Sequence, residues 1–202
     1  MEKKFELTEK YVVNELGTKL YQIKCTKTFE YAKKGELGGY IEREVNLSQE
    51  GNAVVSGDAR VSGNARVFGD ARVSGDAQVS GDAWVSGDAV VFGDAQVYGD
   101  ARVFGDARVY GDAQVSGNAC LKSDADHCGF DCFGSSNRHT HAYLTSDNTV
   151  EITCGCFRGS IEEFEKKVKN THAGTVYENQ YNAIINVIKI KFGSAQRQNR
   201  QV

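Results

Sequence analysis

The six residues Val-Ser-Gly-Asp-Ala-Arg at positions 55–60 decide the fold, because this pattern recurs without interruption through the middle of the chain. Triplets of Gly-Asp-Ala or Gly-Asn-Ala begin every six residues from Gly51 to Gly117, and there are twelve of them. Valine stands two residues after each triplet except the last, which is followed by Leu121. A strict period this short is typical of a solenoid, in which one chain winds through nearly identical turns.

Each hexad carries one large and one small apolar residue, the valine and the alanine, and both suit positions that face inward. The Gly-Asp pair falls where the chain must turn, since glycine adopts positive φ without steric cost and Asp and Asn adopt it more readily than most residues. Three short strands and three turns then close a triangular coil of about 18 residues. Because the valines and alanines fill the interior of such a coil, we expect the function to lie on its faces, edges or ends.

The repeat resembles the left-handed parallel β-helix of the hexapeptide-repeat superfamily over residues 47–126. The resemblance implies the left-handed winding, which periodicity alone does not give. We expect a mainly β fold in which this triangular helix is joined to an N-terminal β cap at 1–46 and a small C-terminal α+β unit at 127–202. Within the cap, Phe5 to Val13 and Lys19 to Cys25 are predicted to be strands.

The C-terminal flank carries signals of a hairpin and two helices. Residues 141–145 and 149–154 predict the two strands of a hairpin. Capping boxes begin at Ser160 and Thr175, and each precedes apolar residues at helical spacing. The second helix is predicted to stop at Gly193, and the polar residues beyond it are predicted to form a loose tail.

Aromatic and arginine side chains interrupt the serines beside the inward valines, so the fold does not demand them. One face carries Arg66, Phe68, Trp84, Arg102 and Phe104, a second carries Val90, Phe92, Arg108 and Tyr110, and Tyr98 lies on the third. Exposed aromatics beside arginine are typical of a contact surface, and packing beneath a terminal domain is the alternative. The simplest contact is with other copies of the chain, in a dimer or trimer. Stacking on nucleobases fits less well, because the patch lacks a basic track.

The Asp and Asn residues of the turns fall into three columns along the edges of the coil. Neighbours within a column are expected to lie about 4.8 Å apart, which is one strand spacing. In one interpretation these residues are solvated and serve only the turns. In the other they form an acidic surface that imitates a nucleic-acid backbone or binds a basic partner, although nearby arginines dilute its charge.

Catalytic chemistry finds little support in the residues. Many hexapeptide-repeat proteins are acyltransferases that carry a catalytic histidine on the coils, whereas no histidine precedes His127 here and no long loop interrupts the repeat. We therefore predict no enzymatic activity. An acyltransferase-like or metal-dependent enzyme remains an alternative.

A zinc site is the one cofactor that the residues suggest, and we otherwise expect none. Its candidate ligands are Cys128, Cys132, Cys154, Cys156 and His127, with His139 and His141 nearby. The first two cysteines have a spacing that zinc sites use. The alternative is that these residues are small buried thiols that serve packing alone.

The flanks resemble uncharacterised hexapeptide-repeat proteins of bacteriophages and prophages. The matching segments are Leu37-Gly38-Gly39-Tyr40-Ile41, Asn46-Leu47-Ser48, Cys154-Gly155-Cys156-Phe157 and the helix from Ser160 to Val168. The resemblance implies a phage accessory protein that acts on a host factor. We therefore expect a homo-oligomeric binding protein that sequesters or blocks a host protein, with nucleic acid or a signalling nucleotide as alternative targets.

Charge and hydropathy bear on the compartment. The net charge of −3 gives no general attraction to nucleic acid. The first residues lack the apolar segment of a signal peptide, and no apolar run is long enough to cross a bilayer. We expect no membrane partner, a location in the cytoplasm of a bacterial host, and reduced cysteines.

A polymerising scaffold in the manner of bactofilins is a further alternative function.

Overall fold

The computed structural model describes the backbone of residues 3–198 and the side chains of residues 3–193. The chain forms two compact units that join between Asp124 and Ala125, here called unit 1 and unit 2. Unit 1 therefore contains both the N-terminal strands and the hexad repeat. Within the described range no helix is long and apolar enough to span a membrane.

Unit 1 begins with three strands. They are Phe5–Val13 (β1), Lys19–Cys25 (β2) and Leu37–Ile41 (β3), and β1 and β2 agree with the predicted strands. The three pair antiparallel in the order β1-β2-β3. A single-turn 3-10 helix, Glu44–Asn46, then leads towards the first coil.

The hexads form twelve strands of two residues each. In chain order these are Val54–Val55 (β4), Arg60–Val61 (β5), Arg66–Val67 (β6), Arg72–Val73 (β7), Gln78–Val79 (β8), Trp84–Val85 (β9), Val90–Val91 (β10), Gln96–Val97 (β11), Arg102–Val103 (β12), Arg108–Val109 (β13), Gln114–Val115 (β14) and Cys120–Leu121 (β15). They stack into a parallel solenoid of about 5 turns with about 18 residues per turn, which confirms the predicted architecture. Its left-handed winding stays a prediction.

Three parallel sheets form the faces of the solenoid, because each hexad strand pairs with the strand that comes three strands later in the chain. The first sheet is β6-β9-β12-β15, the second is β4-β7-β10-β13, and the third contains β5-β8-β11-β14. The third sheet continues through β3, which pairs parallel with β5, into the antiparallel strands β2 and β1. That sheet therefore ends in a hairpin rather than in another coil.

Valine and alanine fill the interior as predicted. Every inward valine from Val55 to Val115, and Leu121 after them, is at most 1% exposed. The twelve triplet glycines take φ between 61° and 73°, the left-handed region that the turns were expected to require. The turns also stack closely, because a Cβ built on Gly81 would lie 2.9 Å from the backbone nitrogen of Gly99.

A buried lysine donates hydrogen bonds to the first turn of the repeat. Lys4 is 1% exposed, and its Nζ donates to the carbonyl oxygens of Ala53 at 2.7 Å and Gly51 at 3.4 Å. The same ammonium group lies 5.1 Å from the ring centroid of Phe29. Burial lowers the pKa of Lys4 from 10.5 to about 8, so the loss of hydration outweighs the favourable carbonyl contacts.

Unit 2 contains a four-stranded antiparallel sheet. Its strands are His127–Phe133 (β16), Arg138–Leu144 (β17), Val150–Cys154 (β18) and Phe157–Ser160 (β19), paired in sequence order. The predicted hairpin corresponds to β17 and β18. Strands β16 and β19 were not predicted.

Two helices complete unit 2. Helix α1 spans Ile161–His172 and begins with the predicted capping box, in which Ser160 Oγ accepts from the Glu163 N–H at 3.2 Å. Helix α2 spans Val176–Gln198 and continues past Gly193, so the predicted stop and the loose tail up to residue 198 are wrong. A glycine inside a helix costs only about 1 kcal/mol, and the Ala-Gln-Arg-Gln segment that follows favours helix. The rest of the predicted tail, residues 199–202, lies outside the described residues.

The stacking of the turns can be tested with two matched glycines. Gly81 and Gly111 both have positive φ, at 69° and 62°, but a Cβ on Gly111 meets nothing within 4 Å. We expect Gly111→Ala to lower the free energy of unfolding by about 1–2 kcal/mol through φ strain alone. Gly81→Ala carries the same strain plus the contact with Gly99, so its loss is expected to be larger. Urea denaturation followed by circular dichroism measures both, and equal losses would contradict the close stacking.

The buried ammonium group of Lys4 predicts a pH dependence. Between pH 8 and 10.5 the unfolded chain binds more protons at this residue than the folded chain, so its contribution to stability rises with pH. Lys4→Met removes that dependence and leaves Ala53 O without its donor, which costs about 1–3 kcal/mol. The stability difference between wild type and Lys4→Met is therefore expected to grow from pH 7 to pH 10. A constant difference across this range would show that Lys4 is not titrating as proposed.

Candidate binding site around Trp84

Trp84 is the exception in its column of the first sheet. It pairs with Arg66 on one side and Arg102 on the other, so the two arginines lie on the adjacent rungs. The indole points away from the core and is 42% exposed. Arginine, glutamine, valine or cysteine occupies the equivalent position of every other coil strand. The solenoid therefore has no structural need for tryptophan at this point.

Trp84 contacts two of the side chains that the sequence placed on its face. The ring of Phe68 lies 6.0 Å away, centroid to centroid, in an edge-on arrangement with an interplanar angle of 79°. The guanidinium carbon of Arg102 lies 5.4 Å from the indole centroid, within the range of a cation–π contact. These three residues are here called the Trp84 cluster.

Phe104 does not join the cluster, although the sequence suggested that it would. Its column places Ser86 between it and Phe68, so the two phenylalanines are separated by a rung without a ring. Within the described residues the ring contact of Trp84 is with Phe68 and not with Phe104. Phe104 is half-buried.

A pocket of about 490 Å³ opens beside the cluster. Its lining residues are Glu44, Val45, Leu47, Ser48, Gln49, Arg66, Val67, Phe68 and Trp84. The sequence identified Arg66, Phe68 and Trp84 as candidate contact residues, but it gave no indication that the segment 44–49 would form the opposite wall. That segment lies outside the hexad pattern, so counting in hexads does not place it, and the structure shows its Val45 to be exposed.

Two of the polar side chains that line the pocket have hydrogen-bond partners, and a third, Arg66, has none within the described residues. The Glu44 carboxylate accepts two hydrogen bonds from Lys3 Nζ, at 2.7 and 3.0 Å. The Gln49 side chain accepts from the Lys4 N–H at 2.7 Å and donates to the Phe5 carbonyl at 3.2 Å. The Arg66 guanidinium, by contrast, has no hydrogen-bond or ion-pair partner in the part of the chain that the structure describes. The pocket therefore presents an unpaired positive charge beside an aromatic wall.

A second aromatic pair lies on the second sheet. Phe92 and Tyr110 occupy successive rungs, and their rings stack at 5.5 Å with an interplanar angle of 22°. Both are exposed, at 39% and 55% respectively. Arg108 is also exposed on this sheet, whereas Tyr98 lies on the third sheet and is half-buried. The structure thus separates the predicted contact residues into two distinct aromatic groups, one on the first sheet and one on the second.

Within the described residues, the structure does not bring the candidate zinc ligands of unit 2 together. Cys154 is buried in the apolar core of unit 2, and the half-buried Cys128 packs against that core. Burial raises the pKa of the Cys128 thiol to about 11. Cys132 is exposed and has a positive φ of 61° next to an irregularity in β16. Cys156 is exposed in the turn between β18 and β19.

His127 lies on the face of the sheet opposite to Cys128 and Cys154. It neighbours Cys128 in β16, and successive side chains of a strand point to opposite faces. Its Nδ1 lies 3.0 Å from Nε2 of His141, so the two buried imidazoles share a hydrogen bond. Among the residues that the structure describes, no three His, Cys, Asp or Glu side chains are placed to hold a metal ion.

A known family model matches the repeat, and its matches do not extend into the flanks. The model of the YdcK beta solenoid repeat matches residues 59–75, 65–81, 77–93 and 95–111. These segments all lie within the hexad region and cover well under half of the chain. No curated protein matches the sequence. The chain is therefore similar to YdcK beta solenoid repeats within its coils.

Proposed function

We propose that this chain is a non-enzymatic binding protein whose solenoid presents the Trp84 cluster as its recognition surface. The observation that carries the proposal is an exposed indole, held by Phe68 and Arg102, at a position where the fold requires no aromatic residue. Tryptophan and arginine are enriched at the centres of binding interfaces. The rigid stack of coils holds these side chains in place before a partner arrives, which lowers the entropic cost of binding.

The partner in this proposal is a host factor that the chain sequesters or blocks in the bacterial cytoplasm. The support is the resemblance of the flanks, in particular Leu37-Gly38-Gly39-Tyr40-Ile41, to hexapeptide-repeat proteins of phages and prophages. Such a protein acts by occupancy, so it needs an exposed rigid surface more than a catalytic group. The free side of Trp84 and the pocket beside it meet that requirement.

The proposal includes self-association through the second sheet. Phe92 and Tyr110 form a flat exposed stack, and Arg108 lies on the same sheet. Side-by-side contact of solenoid faces would bury both rings in a dimer or trimer. Because the Trp84 cluster lies on a different sheet, such an assembly would leave it available and would multiply the binding sites.

Recognition through the Trp84 cluster can be tested by co-purification. Tagged wild-type protein, the double variant Trp84→Ala with Phe68→Ala, and the control Tyr98→Ala are recovered from a bacterial lysate, and the bound proteins and small molecules are identified by mass spectrometry. The control removes an aromatic ring from the third sheet. We expect a component that wild type and Tyr98→Ala retain and the double variant loses. Identical profiles for all three would contradict the proposed function.

Self-association predicts a change in oligomeric state. Tyr110→Ser removes one ring of the stack and is expected to convert a dimer or trimer into monomer in sedimentation velocity at micromolar concentration. Trp84→Ser is the matched control, since it changes a comparably exposed ring on another sheet and is expected to leave the assembly intact. A monomeric wild type, or dissociation caused by Trp84→Ser alone, would refute the assignment of the second sheet as the self-contact.

A further inference from the structure

The pocket beside Trp84 has a volume and a lining that narrow the kind of ligand it takes. At about 490 Å³ it lies within the roughly 300–1,000 Å³ of small-molecule sites, and it is too small for a folded partner to enter. Its walls combine an exposed aromatic face, aliphatic surface from Val45 and Leu47, and one unpaired guanidinium. A ligand that carries both a flat aromatic group and an anion would satisfy all three.

We infer that this pocket binds a nucleotide, with the base against Trp84 and the phosphate on Arg66. The inference rests on the proposed function and names the chemistry of the ligand at the same site. It commits to a nucleotide as the recognised unit, either free in solution or as one residue of a strand.

The aromatic part of the argument depends on how Trp84 is held. Phe68 meets it at a steep interplanar angle, and Arg102 lies over the ring. The ring is nevertheless 42% exposed, so part of its surface remains free on the side of the pocket. Nucleobases stack on exposed indole rings with little dependence on base identity. Arg102 strengthens such a stack, since a guanidinium over the same ring adds a cation–π contact.

The anionic part of the argument depends on Arg66. Arg66 and Trp84 are register partners in adjacent strands, so their backbones are about 4.8 Å apart and both side chains leave the same face. The planar fork of an arginine matches two oxygens of a phosphate. Glu44 is the acidic residue of the lining, and Lys3 already holds its carboxylate at 2.7 Å, which reduces its repulsion of an anion. A nucleotide places one sugar between base and phosphate, a separation that the long Arg66 side chain can span.

The surroundings favour a single nucleotide over a long strand. The turns that border the first sheet carry Asp and Asn in every coil, and the chain as a whole has a net charge of −3. A strand of nucleic acid requires a continuous basic track to neutralise successive phosphates. One arginine in a confined pocket serves a single phosphate group well and a series of them poorly.

Trp84 is the only tryptophan in the chain, so fluorescence excited at a wavelength where tyrosine does not absorb reports on this pocket alone. The full-length protein is titrated with each of the four ribonucleoside monophosphates, with adenosine, with ribose 5-phosphate and with inorganic phosphate. We expect saturable quenching by at least one monophosphate. Adenosine and ribose 5-phosphate are each expected to bind at least ten-fold more weakly than that nucleotide, because each lacks one of the two recognised groups.

A matched pair of arginine variants tests the assigned role of Arg66. Arg60 occupies the same position of its hexad but lies on the third sheet, away from the pocket lining. Arg66→Gln is expected to weaken nucleotide binding at least ten-fold while leaving adenosine binding unchanged. Arg60→Gln is expected to match wild type in both. Equal effects of the two variants would show that the phosphate is not held by Arg66 and would overturn the inference.

A short single-stranded oligonucleotide distinguishes the two sources of the ligand. Similar affinity per site for the monophosphate and the oligonucleotide identifies the free nucleotide as sufficient. Much tighter, strongly salt-dependent binding of the oligonucleotide identifies a strand as the source. The absence of saturable quenching by any of these probes overturns the inference. If the Trp84 variant still loses a co-purifying component in that case, the proposed binding function stands and only the ligand class is wrong.

Discussion

Hydrogen bonds between parallel strands whose register partners stand eighteen positions apart are the interaction on which the rest of unit 1 depends. The N–H of Arg66 donates to Ala83 O at 2.9 Å, and that of Phe68 donates to Val85 O at 3.1 Å, so each rung is held by the next. The interval between paired residues, such as Arg66 and Trp84, is three hexads long and is the same for every pair of hexad strands. Because it is constant, outward side chains also fall into columns, and residues far apart in sequence become neighbours on one face. The arrangement of Arg66, Trp84 and Arg102 is a direct consequence of this register.

The inward residues of the solenoid are nearly identical in every turn, so the turns differ from one another mainly in their outward side chains. Valine and alanine satisfy the interior of every turn, so they distinguish no turn from another. The outward positions beside them are free to vary without cost to the fold, and most hold serine, arginine or glutamine. The indole of Trp84 and the ring pair of Phe92 and Tyr110 are therefore not required by the packing of the core. This is why the surface of the solenoid, rather than its interior, carries the argument for binding.

The sequence predicted the features that depend on the period and missed those that interrupt it. The six-residue period predicts the coil, its inward residues and the contact of Phe68 with Trp84. The wall of the pocket does not, because the segment from Glu44 to Gln49 departs from the hexad and turns through a short 3-10 helix. Strand β16 was missed because its pairing with β17 is irregular between Phe130 and Phe133. Helix α2 continues beyond its predicted end because a glycine can end a helix but can also lie within one.

The irregular wall is nevertheless held as firmly as the coils. Asn46 is fully buried, its amide donates to the carbonyl oxygens of Gly63 at 3.0 Å and Ala65 at 2.9 Å, and its side-chain oxygen accepts from the Arg43 N–H. These bonds join the 3-10 helix to the turn below Arg66, so both walls of the pocket belong to one hydrogen-bonded structure. A ligand that enters has little backbone freedom to remove from this wall, and more of its contact energy is available as affinity. A pocket formed where a rigid repeat meets its lead-in is thus suited to hold a small planar anion without a moving lid.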